Sequence, residues 1–271
     1  MTSKKIIVAG DGHFHLYPCH EPASAISNLI RNLDLMARSA RGLEPGQDIY
    51  KIAFLAESKQ HDYFRKILKN EMDFRTVDLE VLAGPEEHCV SFNKQGKQEL
   101  CLVAGRQIVT RERLEILGLG MEKTVPDGLS AEEAVEKVIA AGGLPALAFS
   151  PGKWLFKRGC LAMALIEKHK QNFLVGDSAL RPLGWGEPEI MRRARENNIA
   201  VLPGSDPLPL PGDEKYAGCY GFIYEGSFDP AKPLTSMKEI IAAMPQTILP
   251  AGRRCSLITT TSKLYRLWRS R

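Results

Sequence analysis

Apolar residues in this chain follow two alternating rhythms. Predominantly apolar runs at Lys5–Ala9, Ile49–Ala56, Leu114–Leu119, Leu144–Phe149, Phe173–Val175 and Ile199–Leu202 have the length of buried strands. Between them lie segments with apolar residues every three or four positions. Ala23–Ala40 places Ile26, Leu29, Ile30, Leu33, Met36 and Ala37 on one helical face, and Gly42 follows as a stop. His61–Asn70, Ala131–Ala141, Leu155–His169 and Glu187–Asn198 read as further helices. Ser130 and Glu133 have the spacing of a capping box at the start of the second of these, and Gly142-Gly143 ends it.

One region breaks the alternation. Val77–Leu82, Cys89–Phe92, Glu99–Val103 and Gln107–Val109 are short and separated by turn residues at Gly84-Pro85, Asn93 to Gly96 and Gly105. This pattern predicts a small antiparallel insertion at about residues 76–110. With Ile199–Leu202 as the seventh main strand, short connections through helices imply parallel neighbours and an α/β fold. The expected architecture is a distorted TIM-like (β/α)7 barrel. An open doubly wound sheet is the alternative, but it gathers the polar residues at the strand ends less well. No linker or repeat divides the chain, so a single domain is expected over residues 1–271. A helix at Ser236–Ala243 and a basic extension over about 245–271 complete it.

Composition narrows the class. The chain has 271 residues, 44% hydrophobic and 25% charged, as in ordinary globular proteins. The net charge of +4 is too small and scattered to point to nucleic acid, which is not expected as a partner. No apolar stretch is long enough to span a bilayer, and Met1-Thr2-Ser3-Lys4-Lys5 is followed by only four apolar residues, so no membrane partner or leader is expected. Six scattered cysteines without a Cys-x-x-Cys pair suggest reduced thiols and a cytoplasmic location.

The chemistry concentrates at predicted strand ends. Asp11, His13 and His15 follow the first strand at alternate positions, and residues two apart on an extended backbone share a side. Glu57 follows the second strand, Asp177 the sixth and Asp206 the seventh. His61 opens a helix, and His88 sits in the insertion. Histidines and carboxylates together suit zinc, manganese or iron. His13, His15, Asp11, Glu57 and His88 are the candidate ligands for one or two divalent ions. Asp206 and Asp177 are candidates to accept a proton from activated water. Lys153, Arg158 and Arg181 follow strands five and six and suit a small anionic substrate. Three alternate prolines after Asp206, at positions 207, 209 and 211, imply a stiff loop at a pocket wall. No P-loop, Gly-x-Ser-x-Gly or dinucleotide fingerprint is present.

Asp11-x-His13-x-His15 at the end of a strand, Ser150-Pro151-Gly152 after the fifth and Gly204-Ser205-Asp206 after the seventh resemble the PHP (polymerase and histidinol phosphatase) superfamily. That resemblance implies a distorted seven-stranded barrel, metal bound by His13 and His15, and metal-dependent phosphoester hydrolysis. The family usually has His-Pro-Gly after strand five and Asp-x-His after the last strand. Here Ser150 and Leu208 stand at the histidine positions. The expectation is therefore a divergent metal-dependent hydrolase, or a barrel that kept ligand binding and lost catalysis. Oligomeric state is not legible in the sequence.

Overall fold

The computed structural model describes residues 5–44 and 46–270. Met1 to Lys4 of the amino-terminal reading, and Arg271 of the basic extension, lie outside the described residues. The first strand, β1 (Ile6–Phe14), leads into helix α1 (Pro22–Arg41), then β2 (Ile49–Leu55) and α2 (Tyr63–Leu68). The insertion supplies β3 (Glu80–Ala83), β4 (Cys89–Lys94) and β5 (Lys97–Val103), followed by β6 (Gly105–Val109) and β7 (Glu115–Leu119). The remainder is α3 (Ala131–Ala140), β8 (Leu144–Leu147), α4 (Lys157–His169), β9 (Leu174–Ser178), α5 (Glu189–Glu196), β10 (Val201–Gly204), β11 (Tyr220–Gly226), α6 (Pro233–Ala243), β12 (Leu249–Gly252) and α7 (Leu257–Arg269).

The α/β class holds, but no closed barrel is seen among the described residues. The strands form two sheets, ordered β12-β11-β1-β2-β5-β4-β3 and β10-β9-β8-β7-β6. Two features keep the barrel from closing as expected. β5 pairs parallel to β2 and extends the first sheet outward through the antiparallel insertion. On the other side of β1, antiparallel β11 takes the edge that a closing strand would use. The sheets still meet at two seams. Glu57 bridges Arg106, beyond β2 and within β6, and the Asp206 N–H donates to the His13 carbonyl at 2.8 Å.

Glycines permit both seams. A Cβ at Gly105 would lie 2.8 Å from the Leu55 carbonyl oxygen, and one at Gly204 only 2.4 Å from the His13 nitrogen. Apolar side chains alternate between the two faces of the sheets. Val8, Ile52, Phe54, Leu117, Leu174, Leu202 and Phe222 fill the space between the sheets, with Met237 and Ile240 of α6 beneath them. Ala53 and Leu55 face α1 and α2 on one outer side. Ile116, Leu147, Val175 and Val201 face α3, α4 and α5 on the other. Both faces being covered explains why the strands read as continuous apolar runs rather than as alternating ones.

Several boundaries move. β1 continues to Phe14, so His13 lies within the strand, and its pairing to β2 shifts register between Asp11 and Phe14. The capping box of α3 forms as expected, with Ser130 and Glu133 satisfying each other's backbone. β11, β12 and α7 are elements the apolar pattern did not announce. β12 is largely exposed, and the two buried residues of α7 are the polar Thr260 and Lys263, so neither announces a buried apolar face.

Candidate functional site

The end of β1 and the first residues after β10 build one buried cluster. The Nε2 atoms of His13 and His15 stand 3.8 and 3.6 Å from Asp206 Oδ1. Among the described residues, these three side chains are the group whose donor atoms converge as metal ligands would. Ser178, at the end of β9, donates its hydroxyl to Asp206 Oδ2 at 2.9 Å. The His13 and His15 rings meet edge-on at 4.6 Å, and Gln107 on β6 lies 3.3 Å from His13 Nε2. Asp206 adopts φ = +49°, a left-handed backbone that Asp tolerates better than most residues and that aims its carboxylate back toward β1.

The electrostatics are those of an uncompensated anion. Asp206 is only 8% exposed, and burial pushes its carboxyl up to about 6. Burial lowers both imidazoles, His15 to about 3, so neither is a cation at neutral pH. Asp206 Oδ1 accepts no hydrogen bond among the described residues. Two neutral imidazoles and one buried carboxylate form a donor set suited to a divalent zinc, manganese or iron ion. Ligands at roughly 2.1 Å from one ion stand up to about 4.2 Å apart, so both His–Asp spacings fit.

The other sequence candidates are placed elsewhere. Asp11 points away from the imidazoles and accepts the backbone N–H groups of His13, Ser205 and Gly218 at 3.0, 2.9 and 3.1 Å, together with the Ser205 hydroxyl. The register shift in β1 breaks the alternation that would have put it beside the histidines. Glu57 accepts the N–H groups of Tyr63 and Phe64 at the start of α2 and pairs with Arg106 at 3.5 Å. Burial pushes its carboxyl up to about 7 against the pull of that arginine. His88 bonds Glu122 at 3.1 Å beside α2, away from the cluster.

Asp177 is held by Arg181 through two parallel bonds of 2.8 and 2.6 Å and by the Tyr220 hydroxyl at 2.7 Å. Arg181 also donates to the carbonyls of Trp185 and Gly186. Both groups are thus committed to ordering the end of β9. Arg158, in the first turn of α4, donates to the Gly152 carbonyl of the preceding loop. Lys153 does approach the cluster: it forms an ion pair with Glu115 on β7, and both charges act on His13 and Asp206.

Glu115, Gln107, Ser178 and Tyr17 were not singled out from sequence. The Tyr17 ring packs 5.1 Å from His15 and 5.9 Å from His61. Only the strand position of Glu115 and Gln107 hinted at them. Leu208, where the resemblance calls for histidine, packs with Leu180 and Leu210, and its carbonyl accepts from His20.

No family model matches the chain, and no curated protein matches it. Solved structures share its fold. PsfC from Pseudomonas syringae PB-5123 is 13% identical with a TM-score of 0.55, over 97% of this chain and 98% of that one. Endonuclease Q, in complex with a 27-mer duplex bearing an abasic lesion at the active site, is 11% identical with a TM-score of 0.50, over 88% of this chain and 57% of that one. A two-domain Bacteroides vulgatus protein containing a predicted PHP-like metal-dependent phosphoesterase is 12% identical with a TM-score of 0.49, over 93% of this chain and 66% of that one. At such identities the likeness is one of fold, and this chain spans little more than half the length of Endonuclease Q.

Proposed function

We propose that this chain is a metal-dependent hydrolase acting on an anionic small molecule, a phosphoester in the first instance. The observation that carries the reading is the convergence of the donor atoms of three buried side chains, His13, His15 and Asp206. That cluster has donors for a single divalent ion. The fold shared with structures that include a DNA lesion endonuclease is consistent with phosphoester chemistry. When bound, such an ion acidifies a water molecule and polarises a phosphoryl oxygen.

The chain's own residues supply the rest. His13 and His15 stay neutral through burial and so present lone pairs rather than protons. Ser178 holds the orientation of Asp206. Glu115 is the carboxylate beside the cluster that is not a candidate ligand, and it is suited to accept the proton of the attacking water. Lys153, ion-paired with Glu115 beside the cluster, is the cation suited to hold the anionic substrate. Asp177 and Arg181 serve as scaffold, keeping Ser178 and Tyr220 in place.

The test is metal content by elemental analysis, with hydrolysis of p-nitrophenyl phosphate and bis-p-nitrophenyl phosphate in added manganese or zinc. The expected result is a single ion per chain, lost in His15→Ala, with turnover falling at least about a hundredfold in His15→Ala and Glu115→Gln. Unchanged metal content and turnover in His15→Ala would sink the proposal. Tight binding of phosphate without turnover would favour a binding protein instead. Ser150 and Leu208, at positions where the resemblance expects ligands, are the residues that favour that second reading.

A further inference from the structure

The stretch 240–271 contains no Asp or Glu and six cations: Arg253, Arg254, Lys263, Arg266, Arg269 and Arg271. The whole chain has 36 basic and 32 acidic residues, so residues 1–239 carry 30 against 32 and a net charge of −2. The positive excess therefore belongs to this stretch, most of it on or beside α7. Lys263 is used internally, 2.9 Å from Asp213 and 3.8 Å over the Tyr216 ring, and it anchors one side of the helix. Arg266 and Arg269 have no acidic partner among the described residues.

The opposite side of α7 is apolar and uncovered. At 3.6 residues per turn, Leu257, Ile258, Thr261, Tyr265 and Trp268 share an arc of roughly 100°. Ile258 is 82% and Trp268 71% exposed. The neighbouring loop adds exposed Leu183 and Trp185. The Leu183 N–H donates to the Cys255 carbonyl at 2.7 Å, and Arg254 donates to the Trp185 carbonyl at 3.3 Å. Six large apolar side chains thus line one surface, with Arg254 and Arg269 at its margin and Arg266 about 80° further round the helix, each without an acidic partner among the described residues.

We propose that this surface docks on an anionic lipid bilayer, with the apolar arc of α7 in the headgroup boundary and Arg254, Arg266 and Arg269 on lipid phosphates. The absence of acidic residues disfavours a second copy of the chain, which would set arginines against arginines. Nucleic acid would reward the arginines and the aromatic rings, but not Leu183, Leu257 and Ile258. Aliphatic and aromatic residues flanked by arginine are the composition of an interfacial helix. Lying on a bilayer needs no spanning length, and no helix among the described residues is long and apolar enough to cross one. The inference goes beyond the proposed hydrolase and stands independently of it.

The test uses the full chain with phosphatidylcholine vesicles, with and without phosphatidylglycerol, read by flotation and tryptophan emission. Binding is expected on the anionic vesicles only and weakens with salt. Arg266→Gln and Arg269→Gln each weaken it about fivefold. Ile258→Ser combined with Trp268→Ser weakens it at least about tenfold while leaving the melting temperature in place. No vesicle binding, equal binding to neutral vesicles, or binding unmoved by these variants would overturn the proposal. So would an oligonucleotide that binds more tightly through the same residues, or a dimer that the double variant dissociates.

Discussion

Asp206→Asn tests whether the buried cluster is built around a missing positive charge. Asparagine keeps the size and tolerates the φ of +49°, so the change removes charge with little strain. In the metal-free protein the Asp206 carboxyl is pushed from 3.8 to about 6. Below the lower value the group is protonated in both folded and unfolded chains and contributes nothing. Between the two, the unfolded chain has ionised while the folded one still holds its proton. Stability therefore falls as pH rises through this window, by roughly 3 kcal/mol for about two units. The imidazoles do not offset this cost, because burial has already made them neutral.

In chelator at pH 8, Asp206→Asn should thus be more stable than the parent by up to about 3 kcal/mol, or about 6 °C in melting temperature for a chain of this size. At pH 4 the two should melt together. Zinc or manganese reverses the order once the ion stands at about a thousand times its Kd, where it adds about 4.1 kcal/mol to the parent. The assay is thermal unfolding from pH 4 to 8, with chelator and with metal. If Asp206→Asn is the less stable protein in chelator at pH 8, something in the chain already compensates the carboxylate and the reasoning fails.

Asp11→Ala strips the acceptor from three buried backbone N–H groups and a hydroxyl, and should cost about 4 kcal/mol in denaturant unfolding. Metal content per folded molecule should survive; a variant of parental stability that has lost metal would instead make Asp11 a ligand. Arg181→Met takes the guanidinium from buried Asp177, leaving it the Tyr220 hydroxyl and the Ser178 N–H, and should cost about 3–5 kcal/mol. Adding Asp177→Asn should recover part of that loss, and strictly additive costs in the double-mutant cycle would show that the pair is not coupled.

Local information in the chain determined most of the strands and helices as far as β10, and α6 after it, because apolar runs and periodic stripes are set by neighbours in sequence; β11, β12 and α7 lay beyond it. It also placed His13 and His15 at the working end of the first strand and Asp206 after β10. The sequence did not reveal which carboxylate would stand free beside the histidines. Asp11, Glu57, Asp177 and Asp206 look alike in sequence, each at a strand end. Tertiary structure separated them by their surroundings: backbone N–H groups for Asp11, the start of α2 and Arg106 for Glu57, and Arg181 with Tyr220 for Asp177.

Sheet assembly was likewise beyond local reach. The same apolar strands suit a closed ring or two sheets, and the choice rested on β11 and β5 pairing at the flanks of β1 and β2. Periodicity specifies that a face is buried, not which neighbour buries it. A carboxylate's role depends on donors and charges brought in from distant parts of the chain. For Asp206, the decisive fact is that the groups folded around it leave its charge unmatched.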